Sequence, residues 1–350
     1  MPRAALIALA TIAALGPVVA PFEVGAQRGG GALDPHVDPS VIPVGCSGCH
    51  RGHGRPRSPM LGAPQKEVCL TCHGTAGQVD RLIARGVLAP GVRPTLMSSV
   101  FAKPFTHPVG ERSFSRRETG TTCTSCHSPH RSMPPRPSRG DRKLSPRNPN
   151  VFEYELCLSC HGDRGPGLVN IGRLFEPHNR SYHPVQVASP GSSPSVLPEL
   201  AGRAVNCTDC HGNSDRSGPR GPHGSDRRHL LRSRRTTDGG GVSSDASAFC
   251  YSCHRSKRVL AADSPFPLHR LHVVDERAAC ASCHGPHGSI MNRALIRLVA
   301  TGGVSHSASG RLGFESTSAG QGKCYLTCHA RNHDPETYGL LPEETLSTRP

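Results

Sequence analysis

The stretch "CASCHGPHGS", residues 280–289, sets two cysteines and two histidines within eight positions. His284 follows directly on the pair Cys280 and Cys283. His287 stands three residues further on, behind Gly285 and Pro286. The first half of the stretch recurs along the chain as "CSGCH" (46–50), "CLTCH" (69–73), "CTSCH" (123–127), "CLSCH" (157–161), "CTDCH" (207–211) and "CYSCH" (250–254). A widened copy, "CYLTCH", closes the series at 324–329. All 16 cysteines fall in these eight pairs, and a histidine follows every pair, although only 21 of 350 residues are histidine. Composition alone does not produce that regularity.

Two thiols at this spacing add across the two vinyl groups of a haem, and the histidine behind them supplies an axial nitrogen to its iron. Zinc sites also use cysteine pairs, but they do not require a histidine behind each one. A thioredoxin-like dithiol would occur once, beside a βαβ pattern. The attachment cysteines are therefore Cys46 and Cys49, Cys69 and Cys72, Cys123 and Cys126, and Cys157 and Cys160. Cys207 and Cys210, Cys250 and Cys253, Cys280 and Cys283, and Cys324 and Cys328 complete the set. The proximal ligands are His50, His73, His127, His161, His211, His254, His284 and His329. In the last motif Tyr325, Leu326 and Thr327 separate the cysteines, so one residue must bulge from the turn. Its place in the repeat still favours haem, for eight covalently attached haems c in all.

The second half of the opening stretch recurs too. The first motif of each pair is followed by a tail histidine in a Gly/Pro setting: His53, His130, His223 and His287. Each pair is also preceded by a histidine: His36, His107, His183, and His269 or His272 in "HRLH". The chain thus divides into four di-haem copies, 27–85, 100–170, 175–258 and 262–336, with a tail at 337–350. Eight haems need eight second axial ligands, and each copy offers one upstream and one tail histidine. His287 lies too close in sequence to reach round the ring above His284, so its expected target is another haem, the partner in its own copy. Methionine is the rival sixth ligand, but Met60, Met133 and Met291 have no counterpart in the third copy, where Leu230 and Leu231 stand. They read as apolar cover instead, which leaves low-potential bis-histidine sites.

The paired motifs, the "PHRS" and "PHGS" tails and the upstream "HPV" resemble the doubled Cys-x-x-Cys-His family of multihaem c-type cytochromes over most of residues 36–333. "HRLH" (269–272) is similar to the His-x-x-His of small low-potential tetrahaem cytochromes, in which both histidines are distal ligands. The resemblance implies an octahaem electron carrier of anaerobic or metal-respiring bacteria. The widened last motif and the insert at 212–222 depart from the family pattern.

Composition fits a molecule whose interior is not made of side chains. Only 35% of residues are hydrophobic and 4% aromatic, Trp is absent, and there are 39 Gly and 33 Pro. Such a chain cannot fill a large apolar core. The expected fold is mostly irregular, with haems as core, short helices at the attachment sites, and helices around 78–86 and 293–300. Residues 132–150 and 189–196 read as Pro/Ser-rich connectors.

The net charge of +15 comes from 41 basic and 26 acidic residues. Two propionates on each haem would bring the loaded chain near neutrality, so no nucleic-acid partner is needed to account for it. Arg, which grips carboxylates bidentately, supplies all but five of the basic residues. Residues 1–26 read as a secretory signal: Arg3, the apolar run "AALIALATIAALGPVVA", and "VGA" before the cut. That predicts a periplasmic or extracellular protein, peripheral to a membrane at most.

No catalytic residue is expected. The partners expected are redox proteins, quinol-linked at the inner membrane or cytochromes at the outer one. The alternatives are a multihaem reductase of nitrogen or sulfur oxyanions with one open iron, and a subunit of a cytochrome filament. No motif ends in Lys, as a reductase's open site often does, and histidine is in surplus.

Overall fold

The computed structural model describes residues 34–52, 60–110, 121–130, 152–163, 170–186, 193–232, 249–300, 303–318, 320–328 and 330–339. The leader at 1–26, His53, Met133, His329, the connector 132–150 and most of the tail 337–350 lie outside them.

Among the described residues from Asp34 to Ala300 the chain is irregular, punctuated by single turns and short helices. The motifs impose the helical turns. In the first-motif positions these are a 3₁₀ turn at Gly45–Gly48, α4 (Cys123–Cys126), α6 (Cys207–Cys210) and a 3₁₀ turn at Cys280–Ser282. The second motifs sit on the longer α1 (Gln65–His73) and α5 (Glu153–His161), and on a 3₁₀ turn at Cys250–Ser252. α4 begins where Ser125 Oγ accepts from the Thr122 amide, and α6 where Asp209 Oδ2 accepts from the Asn206 amide. These side chains satisfy donors that open a helix.

Apolar packing is thin. Its described cluster joins Ile42, Val79 and Leu88 around α2 (Ala76–Ala84), where Leu82 and Ile83 share the buried side. The capping box of Thr75 and Gln78 starts α2, in agreement with the helix expected at 78–86. Two single-turn helices, α3 (Ser98–Phe101) and α7 (Ser256–Val259), follow second motifs.

What holds successive copies together is polar and repetitive. Gln65, at the head of α1, accepts from the Thr124 amide at 3.2 Å, and Glu153, at the head of α5, accepts from the Thr208 amide at 3.0 Å. A second-motif helix thereby caps the first-motif helix of the next copy. Two short antiparallel ladders repeat in the same spirit. β1 (Phe105–Thr106) pairs with β3 (Gly224–Ser225), and β2 (Ser181–Tyr182) pairs with β4 (Gly288–Ser289). Each joins one copy's upstream strand to the next copy's tail. A Cβ on Gly224 would strike the Val100 carbonyl, and one on Gly288 the Leu174 carbonyl. Only glycine allows that approach. The following serines are buried, and their hydroxyls donate to Leu231 O (2.6 Å) and Ile296 O (2.7 Å).

Two regions differ from expectation. Residues 293–300 are not helical: Ala294 and Leu295 take positive φ (54° and 58°), and the segment forms a left-handed clip against the seventh motif. Gly285 donates to Leu295 O at 2.8 Å, and Arg297 donates to Cys283 O at 2.8 Å. The carbonyls an α-helix would use are turned toward the motif instead. The same clip recurs at 228–232, where His229 and Leu230 have φ of 60° and 54°. The second departure is the C-terminal antiparallel sheet of β5 (Val304–Ser305), β6 (Gly313–Ser318), β7 (Gln321–Cys328) and β8 (Arg331–Tyr338), in order β5-β7-β6 with β8 also on β7. The last motif therefore lies on a strand, not on a helical turn.

Candidate haem-binding sites

Seven motif histidines each face one other imidazole. His50 faces His130 (ring centres 5.9 Å apart), His127 faces His223 (5.8 Å), His211 faces His287 (6.1 Å) and His284 faces His269 (6.2 Å). His73 faces His36 (6.0 Å), His161 faces His107 (6.1 Å) and His254 faces His183 (6.4 Å). An iron held at about 2.0–2.1 Å by two imidazole nitrogens, as metals commonly are, sets ring centres about 6.3 Å apart. Every pair joins a motif histidine to a non-motif one, and the spacing leaves room for one metal ion and the plane around it. The donor set fits haem iron.

The tail histidine of one copy does not serve that copy. His287 lies opposite His211 of the copy before it, and His223 and His130 likewise reach back to His127 and His50. The within-copy target expected for His287 is corrected by the ladders. β2–β4 carries His287 beside His183, whose amide donates to His287 O at 3.2 Å; β1–β3 carries His223 beside His107 in the same way at 3.3 Å. Each ladder thus brackets the two histidines that face both motifs of one copy. The upstream histidines do serve their own copy, each opposite its second motif. In the fourth copy His269 stands opposite the first motif in place of a tail histidine.

Hydrogen bonds orient the rings. Nδ1–H of His73 donates to Thr95 O (2.9 Å), that of His211 to His229 O (2.7 Å) and that of His284 to Ala294 O (2.7 Å). His183 Nδ1 donates to Pro286 O, His272 Nδ1 to Leu268 O (2.8 Å) and His36 Nδ1 to Asp34 Oδ1 (3.2 Å). His254 Nδ1 pairs with Ser195 Oγ at 2.9 Å. A carbonyl or carboxylate can only accept, so the proton sits on Nδ1 and the Nε2 lone pair is left for a metal. Burial favours the neutral ring at several of these histidines. It lowers His254 to about 4, helped by His183 and His284, and lowers His287 to about 4, helped first by His211. His223 and His269 are also lowered to about 4, chiefly by burial.

The clip carbonyls of His229 and Ala294 were not anticipated from sequence. His229 contributes through its main chain, not its ring. The available signal was the likeness of "RHLLR" (228–232) to "RALIR" (293–297). His178 and His306 are exposed and His333 is partly buried. None of these three faces a described motif histidine.

No disulfide joins any of the 16 cysteines, which form a chain of neighbours. Cys69 hydrogen-bonds Cys123, Cys157 hydrogen-bonds Cys207, and Cys250 hydrogen-bonds Cys280. Each bond raises the pKa of the first thiol named, and Cys123, on the accepting side, falls to about 7. Within copies it is the first motif's second cysteine that lies near the second motif: Cys49 acts on Cys69 and Cys72, and Cys126 on Cys157. Burial raises Cys210 to about 12, with Cys253 the next cause; burial raises Cys283 to about 11, with Cys324 and Cys328 next.

The last motif fits less well. Strand residues four apart lie about 13 Å from each other at 3.2–3.4 Å per residue, whereas cysteines three apart on one helical turn lie about 5–6 Å apart. Even with the register shift between Cys324 and Leu326, β7 as it stands does not present both sulfurs to one porphyrin edge.

The family model for the doubled CXXCH motif matches residues 40–78 and 200–259, which hold both motifs of the first and third copies. The chain therefore carries the paired attachment motif of multihaem c-type cytochromes, and its motifs indicate covalently attached haem c and a role in electron transfer. No curated protein and no solved structure matches the chain. Among the described residues no helix is long and apolar enough to cross a membrane.

Proposed function

We propose that the chain is an exported octahaem c-type cytochrome that passes single electrons between redox partner proteins in an anaerobic or extracellular respiratory chain. The observation that carries this reading is the set of seven histidine pairs at 5.8–6.4 Å. When bound, each haem supplies a one-electron iron couple. The chain's part is to hold it at two sulfurs, grip its iron from both faces, and leave no position for substrate. His272 completes the set by analogy: His36, His107 and His183 face the second motif of their own copy, so His272 is assigned to His329. Both histidines of "HRLH" are then used.

The cysteine contacts support a conduit that runs in sequence order. Copies join through the first cysteines of adjoining motifs, and motifs within a copy through the first motif's second cysteine. Intake and delivery then fall at opposite ends of the chain, near Cys46 and near Cys324. The test is protein matured with its haem-attachment machinery, weighed intact and examined anaerobically with carbon monoxide. Eight haems and low-spin spectra unmoved by carbon monoxide are expected. A haem that binds carbon monoxide at once on reduction would favour the reductase reading, and six haems or fewer would break the repeat.

A further inference from the structure

The seven histidine pairs differ in one respect that tracks their origin. Where the second ring comes from the next copy, or from His269 standing in for one, the planes are nearly parallel: 19° for His50–His130, 16° for His127–His223, 19° for His211–His287 and 25° for His269–His284. Where it comes from the same copy, the planes are rotated: 39° for His36–His73, 45° for His107–His161 and 61° for His183–His254. The two sets do not overlap. From the first motif to the seventh they alternate without exception.

Different anchors account for the difference. His211 and His284 of the parallel set are pinned at Nδ1 by the left-handed clips, through His229 O and Ala294 O. His73 and His254 of the rotated set are pinned by unrelated segments, through Thr95 O and Ser195 Oγ. An imidazole so held cannot turn about its metal bond, and its angle is a property of the protein.

Resting on the bis-histidine reading above, we propose that the chain alternates two electronically distinct classes of iron site along its length: parallel-ring sites at first motifs and rotated-ring sites at second motifs. Axial ligands are one lever a protein holds over haem electronics, and ring orientation acts through it. In ferric low-spin iron the unpaired electron occupies one of two orbitals that overlap the ligand π-systems. Parallel rings both raise the same orbital, which separates the pair and stabilises the ferric state. Rotated rings raise both, which leaves the pair close in energy and the orbital moment large. First-motif sites therefore hold the lower potentials, and an electron moving in sequence order meets alternating steps, not a slope.

The test is low-temperature electron paramagnetic resonance of the fully oxidised, haem-loaded chain. Two signals are expected, a rhombic one with three resolved g values and a broad, strongly anisotropic one at lower field. The four parallel and three rotated pairs predict intensities of 4:3, or 4:4 once the eighth site is loaded. His287→Ala should remove a quarter of the rhombic intensity and leave the low-field signal intact, and His183→Ala should do the reverse to the low-field set. A single class of low-spin signal, or loss of low-field intensity in His287→Ala, would overturn the alternation while leaving the bis-histidine reading in place. High-spin signals in the unsubstituted protein would instead overturn that reading. If either variant fails to accumulate, the intensities of the unsubstituted protein decide alone.

Discussion

Residues 34–300 and residues 303–339 solve the same problem in different ways. In the first region seven motifs sit on helical turns, each histidine already faces a partner, and copies are tied by ladders, caps and clips that repeat at matching positions. In the second the motif lies along β7 of an ordinary antiparallel sheet with its own side-chain contacts, such as Arg311 to Glu315 at 2.6 Å and Tyr325 Oη to Glu315 at 3.2 Å. The described part of the repeated region has little apolar packing, whereas the sheet is held by its backbone ladders. The added residue between Cys324 and Cys328 marks the change from one regime to the other.

That contrast can be broken most severely by removing haem from the middle. Cys207→Ala with Cys210→Ala takes away the group between His211 and His287, and with it the tie between the third and fourth copies. The expected result is loss of folded, haem-loaded protein, seen as proteolysis and failure to accumulate. Cys324→Ala with Cys328→Ala should instead give a stable protein one haem lighter by mass, with the remaining spectrum unchanged. Equal damage from both would show that the sheet depends on its haem as the repeats do.

Glycines sharpen the comparison at smaller scale. Gly288→Ala drives a methyl into the Leu174 carbonyl and should cost about 1–3 kcal/mol, the usual range for overpacking. Gly313→Ala on β6 meets nothing within 4 Å and should stay within about 0.5 kcal/mol. Thermal midpoints of the loaded variants check both. Ser289→Ala comes next: its hydroxyl donates to Ile296 O, which Asn292 Nδ2 also reaches at 3.1 Å, and accepts from the Asn292 amide at 3.1 Å, so the loss falls at the low end of the about 1–3 kcal/mol that an unpaired buried group costs.

The smallest effect is one of pH, confined to the sheet. Asp334 is held below the ordinary carboxylate range, first by the Ser309 hydroxyl and also by the Ser309 amide and the Ser307 hydroxyl. Because its folded value is depressed, its stabilisation is present above about pH 4 and is lost as the pH falls through the folded value. Protection of the Ser309 amide against exchange, relative to an unfolded chain, should fall on acidification, with no matching change at Ser225 or Ser289, whose hydroxyls bond main-chain groups.

Much of the site was legible because covalent attachment is written in adjacent residues. Cys280, Cys283 and His284 declare a haem by spacing alone, and the upstream and tail histidines declare themselves by recurrence. The helix expected at 78–86 is found, two residues earlier, at 76–84. The clip at 293–297 was not visible in the sequence, because Ala, Leu and Ile in close order read as helix when nothing local records that their carbonyls serve a histidine. The sheet was missed for a related reason: its strands carry Ser, Thr, Glu and His in place of an apolar alternation, and backbone pairing holds it.

The sequence by itself determined where the paired cysteine motifs stand and which histidine follows each pair, since those groups lie within five or six residues of one another. Only the tertiary structure decided which second histidine stands opposite each first. His287 sits three residues from His284, yet faces His211 in the copy before. The reason is that a short loop cannot pass round a porphyrin, while a two-residue ladder on a neighbouring copy can deliver a ring to its far side at a fixed angle.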